Sequence, residues 1–178
     1  MQKKVNIEKA IRRKYPEQVV LVTTVKPNGG TNVMAVGWVA IASSEPLMFM
    51  LGIDDGAFTY ELIRKNREFV VAFPHDGMAA EVLFAGSRHG HDCDKISKCG
   101  IKVSKAAKIK APLLTDAVAN FECKLVDIYR PGDCPLVIGR VIAAHENVRA
   151  GLKRLYTVAP GHKLSGVKPA IVKIKKNG

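Results

Sequence analysis

Apolar residues in this chain gather in short runs set close together, with turn chemistry between them. "VVLVTTV" (19–25) is β-branched and of strand length. "KPNGG" (26–30) combines a fixed proline dihedral with residues that accept positive φ, so it predicts a turn. "TNVMAVGWVAIAS" (31–43) resumes strand character, and the pair reads as a β-hairpin. After the turn "SSEP", "LMFMLGI" (47–53) is apolar throughout and predicts a strand buried on both faces. "EFVVAFP" (68–74) predicts a strand that stops at Pro74. Further on, Phe121, Cys123 and Leu125 alternate with Glu122 and Lys124, the period of a strand with one buried face, over about 118–129. "PGDCP" turns the chain into "LVIGRVIAAHE" (136–146), expected antiparallel to its predecessor. "KPAIVKIKK" (168–176) is a candidate last strand.

Helical spacing is rarer and shorter. Val5, Ile7, Ala10 and Ile11 suggest a helix within 5–14, closed by Pro16. "TYELIRKN" (59–66) is amphipathic, with Thr59 at or near its N-cap. Residues 77–85 look helical, and "DKISKCG" (94–100) makes a turn or two ended by Gly100. Six or seven strands on short turns, two or three short helices and no regular βαβ unit predict a mainly β fold. The expected form is a small β-barrel with accessory helices, spanning 1–178 as a single domain.

Composition narrows the partners. Of 178 residues, 47% are hydrophobic and 25% charged, the balance of a globular chain. No apolar window spans a bilayer, and the charged start lacks the apolar run of a secretory signal, so the expected compartment is the cytoplasm with no membrane partner. Cys93, Cys99, Cys123 and Cys134 form no C-x-x-C pair, which leaves reduced thiols as the expectation. The formal charge of +12 is concentrated in Lys3–Lys14, in Lys95–Lys110 and at the end of the chain. Such charge suits solvated faces, nucleic acid or phosphorylated ligands. At 6% aromatic content the chain has few base-stacking platforms, which argues against a single-strand binder. The dinucleotide, P-loop, nucleophile-elbow and zincin motifs are all missing.

One stretch carries chemistry, "GSRHGHDCDK" (86–95). His89, His91 and Cys93 alternate, and with Cys99 and His75 they sketch a tetrahedral metal site. The same residues make a polar glycine loop with a basic end, suited to a phosphate. A solvated loop without a ligand is the third alternative.

Taken in order, "VVLVTT", "TNVMAVGW", "SSEPLMFMLGI", "TYELIRKNREFVVAFP", "HGHDCDKI", "APLLTDAVANFECKLVDIY" and "LVIGRVIAAH" closely resemble the flavin reductase-like family with the FMN-binding split barrel. The likeness runs from about Val19 to His145. It implies a Greek-key split barrel holding FMN in preference to FAD, usually as a homodimer. It also implies that Asn32, Met34, Ala35, Val36, Gly37 and Trp38 lie along the flavin ring, mostly through main chain. Thr59, Ser87, Arg88, His89, Gly90 and Lys95 would hold the phosphate end, so the loop reads as a phosphate loop with no metal. In that loop Gly90, Asp92 and Lys95 match the family pattern, whereas His89 and His91 replace its usual Ser and Arg.

Ala35-Val36-Gly37 stands where the family often has Thr-Ala-Ser, so two hydroxyl contacts are missing. Trp38, the single tryptophan, is placed beside the flavin by the resemblance, while packing is its ordinary use. After residue 146 the likeness fades, and Tyr156, His162 and Lys163 are candidates by position alone. The implied activity passes electrons from NADH, NADPH or a redox protein through flavin to flavin, ferric iron or a protein. An acidic partner such as ferredoxin would suit the basic surface. A non-catalytic basic barrel that binds nucleic acid and a flavin-binding sensor are the alternatives.

Overall fold

The computed structural model describes residues 1–168, so the candidate strand at 168–176 lies, Lys168 apart, outside the described residues. A short helix α1 (Ile7–Ile11) leads into β1 (Glu17–Gln18), β2 (Val20–Val25), β3 (Thr31–Val36), β4 (Val39–Ser44) and β5 (Leu47–Gly52). Helix α2 (Phe58–Asn66) and β6 (Glu68–Phe73) follow, then a 3-10 turn (Asp76–Met78), α3 (Ala79–Ser87) and α4 (Lys95–Cys99). The rest is β7 (Val103–Ser104), β8 (Leu113–Leu114), β9 (Ala119–Tyr129), β10 (Leu136–Glu146), β11 (Leu155–Ala159) and β12 (Lys163–Gly166). Helix α1 buries none of its residues, so its apolar positions face outward.

Seven strands form one antiparallel sheet in the order β3-β2-β6-β9-β10-β5-β4. The two end strands, β3 and β4, are neighbours in sequence. Only Gly37 and Trp38 separate them, so the sheet must curl until its edges nearly meet. This is a split barrel, mainly β as the pattern predicts. The expected single strand over 31–43 is broken at Gly37-Trp38, and its second half pairs with β5 instead of continuing beside β2.

The barrel interior holds Val20, Val22, Phe49, Leu51, Phe69, Val71, Cys123 and Val137. Phe49 meets Phe121 edge to face, with ring centroids 5.2 Å apart. Helix α2 contributes Tyr60 and Ile63 to this interior. On β5, Phe49 and Leu51 are buried while Met48 and Met50 are half-buried, so the strand has one buried face where the unbroken apolar run suggested two. Gly139 of β10 lies under the Phe69 ring, and a Cβ there would stand 3.0 Å from Phe69 Cε1 and 3.2 Å from Cys123 Cβ. Phe69 is fully buried and cannot retreat. Gly139→Ala is therefore expected to cost about 2 kcal/mol by overpacking, read as a lower midpoint in urea unfolding with unchanged slope.

A second cluster covers the outer face of β2, β3 and β6. Leu21, Val33, Val70 and Ala72 pack there against Val82 and Ala85 of α3 and Ile101, Ala106, Ile109 and Leu114 of the segment before β9. That covering segment explains a departure from simple alternation. Glu122 does point away from the barrel interior, yet it is fully buried. Its Oε1 accepts the Ala107 amide at 2.8 Å, and its Oε2 accepts those of Lys108 (2.7 Å) and Ile109 (3.1 Å). His145 Nε2 lies 2.6 Å from Oε1.

Candidate functional site

Among the described residues strand β3 hydrogen-bonds to β2 alone, which leaves main-chain N–H and C=O groups of its other edge without a partner strand there. A cavity of about 680 Å³ lies along this edge, lined by Met34, Ala35, Val36, Gly37 and Trp38. Helix α3 forms the facing wall with Val82, Leu83, Gly86 and Ser87. The helix comes close because Gly86 lacks a side chain: a Cβ there would sit 3.3 Å from Ala35 Cβ. Small residues at 35, 37 and 86 thus leave the backbone of β3 accessible.

Trp38 is 60% exposed, so it is a cavity wall and not a core side chain. Gly52 makes its seat, since a Cβ on Gly52 would stand 3.0 Å from both Trp38 Cβ and Cε3. The Gly52 amide also donates to Trp38 O at 2.8 Å. Beside them lie Asp54, Asp133 and Cys134. Burial pushes the Cys134 thiol pKa up, and Asp133, Asp54 and Asp55 push it further, against the opposing pull of Arg130. Lys14 and Glu17 also line the cavity and pair with each other at 2.9 Å. His162 also lines the cavity, whereas Tyr156 lines an adjoining one that shares Trp38.

The remaining sequence-predicted residues gather elsewhere. Asn32 and Thr59 are buried together, with Asn32 Nδ2 donating to Thr59 Oγ1 at 2.9 Å and to Thr24 Oγ1 at 3.1 Å. Thr59 is not the N-cap: Ala57 takes that position and offers no side-chain hydrogen bond to the first turn of α2. Gly90 packs directly on this pair, and a Cβ there would collide with Asn32 Oδ1 and approach Phe58 Cδ1 to 2.9 Å. The loop is held over α2 by His91, whose ring lies 3.8 Å from that of Phe58. Arg88 and His89 are exposed.

Lys95 departs from the expected phosphate role. It is buried, its ammonium donates to Ala85 O at 2.7 Å, and burial pushes its pKa down. It ties α4 to α3 and is not among the residues that line the cavity along β3. Cys93 Sγ turns toward His89 O at 3.9 Å, and His75 Nδ1 accepts from Gly77 N at 3.0 Å. Among the described residues no three metal-ligating side chains converge.

The flavin reductase like domain family matches residues 11–158. The chain belongs to this family. An uncharacterized protein of Pyrococcus abyssi is 36% identical over 130 residues, covering 72% of this chain and 73% of its own. Among solved structures, flavoredoxin from Methanosarcina acetivorans superposes with a TM-score of 0.85 at 24% identity, covering 100% of this chain and 97% of that one. An FMN-binding protein from Thermus thermophilus, with bound 1-cyclohex-2-enone, gives 0.80 at 22% identity over 97% and 99% of the two chains. The structural likenesses show the flavoredoxin fold, and the family match makes the chain a flavin reductase like domain. No helix among the described residues is long and apolar enough to cross a membrane.

Several cavity residues carried no local signal. Asp133 and Cys134 come from the β9–β10 turn, Thr157 and Leu164 from β11 and β12, and Lys14 and Glu17 from the start of the chain. The turn between β9 and β10 and the separate sheet β1-β11-β12 bring them to β3 from positions as far apart as Lys14 and Leu164, and no spacing rule connects them.

Proposed function

We propose that the cavity along β3 binds FMN and that the protein passes electrons through it. The observation that carries this reading is the free edge of β3 forming a wall of a cavity of about 680 Å³. That size lies within the range of roughly 300–1,000 Å³ usual for cofactor sites and suits a mononucleotide. Main-chain N–H and C=O groups from Met34 to Gly37 meet the polar edge of the ring, replacing the hydroxyl contacts missing at Ala35 and Gly37. Val82 and Leu83 supply an apolar wall that excludes water, and Trp38 bounds the ring on the exposed side. The phosphate is held by Ser87, Arg88 and His89 with the uncapped first-turn amides of α2 beside Thr59. Asn32 and Gly90 set the position of Thr59 and the loop, and Lys95 steadies α3 from behind.

FMN, when bound, supplies the hydride and single-electron chemistry. The protein's residues bind, orient and exclude water, so no side-chain acid, base or nucleophile is assigned. NADH, NADPH or a redox protein is the donor, and flavin, ferric iron or a protein is the acceptor. The working unit is a homodimer, in the cytoplasm. An absorbance spectrum of the purified protein, with FMN added if it is colourless, tests the reading. A yellow protein that bleaches anaerobically with NADH, NADPH or reduced ferredoxin is expected. A colourless protein that refuses both FMN and FAD sinks it.

A further inference from the structure

From Lys95 to Thr115 the chain carries six lysines and no acidic residue. Lys95 is buried; Lys98, Lys102, Lys105, Lys108 and Lys110 are exposed. None of these five takes part in an ion pair among the described residues. An unpaired run of this kind usually belongs to a mobile loop, and here it does not. Four successive main-chain amides point inward, those of Ala107, Lys108 and Ile109 to Glu122 and that of Lys110 to Glu68 Oε1 at 2.7 Å. Thr23 Oγ1 donates to Pro112 O, and Ala106, Ile109 and Ala111 are buried. With the amides and the alternate side chains drawn in, Lys105, Lys108 and Lys110 are fixed outward. Two buried carboxylates thus serve to hold a cationic surface in one shape.

We propose that the 102–110 segment is a docking platform for an acidic electron-carrier protein. A rigid array of lysines complements a carboxylate-rich protein surface and raises its rate of encounter. Beneath the platform, Ala106, Ile109 and Ala111 belong to the same apolar cluster as Val19 and Val82, which line that cavity. Aromatic residues suited to base stacking are missing from 102–110, which favours a protein over a nucleic acid. Two reduced carriers are oxidised for each flavin reduced by two electrons, with the accompanying proton drawn from solvent. The redox role of the partner rests on the FMN reading; the docking of a carboxylate-rich surface does not.

The test uses the full chain carrying Lys105→Glu, Lys108→Glu and Lys110→Glu together. A matched control carries Lys3→Glu, Lys4→Glu and Lys9→Glu, an equal change of charge at exposed residues of the N-terminus. In anaerobic stopped flow against a reduced acidic ferredoxin, the platform variant is expected to react about 10-fold or more slowly than wild type at low salt. The gap should close at high salt, the control should keep at least half of the wild-type rate, and reduction by dithionite should match in all three. Binding of polyglutamate by the flavin-free proteins should show the same ranking. Equal losses in platform variant and control, or no loss in either, overturn the proposal. So does a random DNA oligomer that binds these lysines more tightly than the acidic protein. If no protein retains flavin, the FMN reading fails by itself and the polyglutamate ranking still decides the docking.

Discussion

Gly86→Leu is expected to weaken FMN binding by about 100-fold, roughly 2.7 kcal/mol, while leaving the fold intact. Gly86 lines the cavity from α3, opposite Ala35. An added Cβ would stand 3.3 Å from Ala35 Cβ, a contact that a small shift relieves, and the rest of a leucine enters the space assigned to the flavin. Helix propensity moves the other way, because glycine in a helix is about 1 kcal/mol worse than alanine and leucine is close to alanine. The thermal midpoint should therefore stay within a few degrees of wild type while flavin is lost. Gly86→Ala supplies the graded comparison, with less than about a threefold loss, since a methyl group fills little of the cavity. Fluorescence quenching of added FMN measures both. If the leucine variant binds as tightly as wild type, the flavin does not occupy the space between α3 and β3.

The parts legible in the sequence were those written in local periodicity. β2, β6, β9 and β10 have the spacing and turn residues that strands need, and they appear where the pattern puts them. The break in 31–43 was harder to see, because glycine and tryptophan both occur inside strands. What makes Gly37-Trp38 a crossover is sheet closure, a property of seven strands together. Short strands such as β1, β7 and β8 have two residues each and no periodicity to detect. The ring-side candidates from Met34 to Trp38 do share one cavity. Thr59 and Gly90 carry separate local signals, whereas their meeting over Asn32 follows from α2 closing on β2 and β3. Lys95 shows the opposite outcome. A lysine after a polar loop suggests an anion site, but its four-carbon stem also reaches a helix carbonyl, and only packing chooses between these uses.

Glu122 is the clearest case in which alternation marked the right face of a strand and missed the burial, and replacing it should have the largest effect on stability. Burial raises the carboxyl pKa, but the amides of Ala107 and Lys108 together with His145 more than offset this, so it sits below the ordinary glutamate value. Folding thus favours the ionised form. At pH values well above the ordinary value of roughly 4.3 the stabilisation is fully present. It is lost as pH falls below that value through the lower pKa of the folded protein, because there the unfolded chain binds more protons. Glu122→Gln keeps the shape but offers one acceptor oxygen where two serve three amides, so either Ala107 or the Lys108–Ile109 pair faces an NH₂ group. The expected loss at neutral pH is about 2–4 kcal/mol, or roughly 5–15 °C in thermal midpoint for a chain of this size. As pH falls through that lowered pKa the two proteins should converge, since wild type then loses the ionised form that the variant never has. A constant difference from pH 3 to pH 8 would show that Glu122 acts through its shape and not through its charge. Hydrogen exchange at 107–109 gives the local counterpart: these amides should be protected in wild type at pH 7, and in Glu122→Gln those that face the NH₂ group should open, while Ala72 in the sheet beneath stays closed.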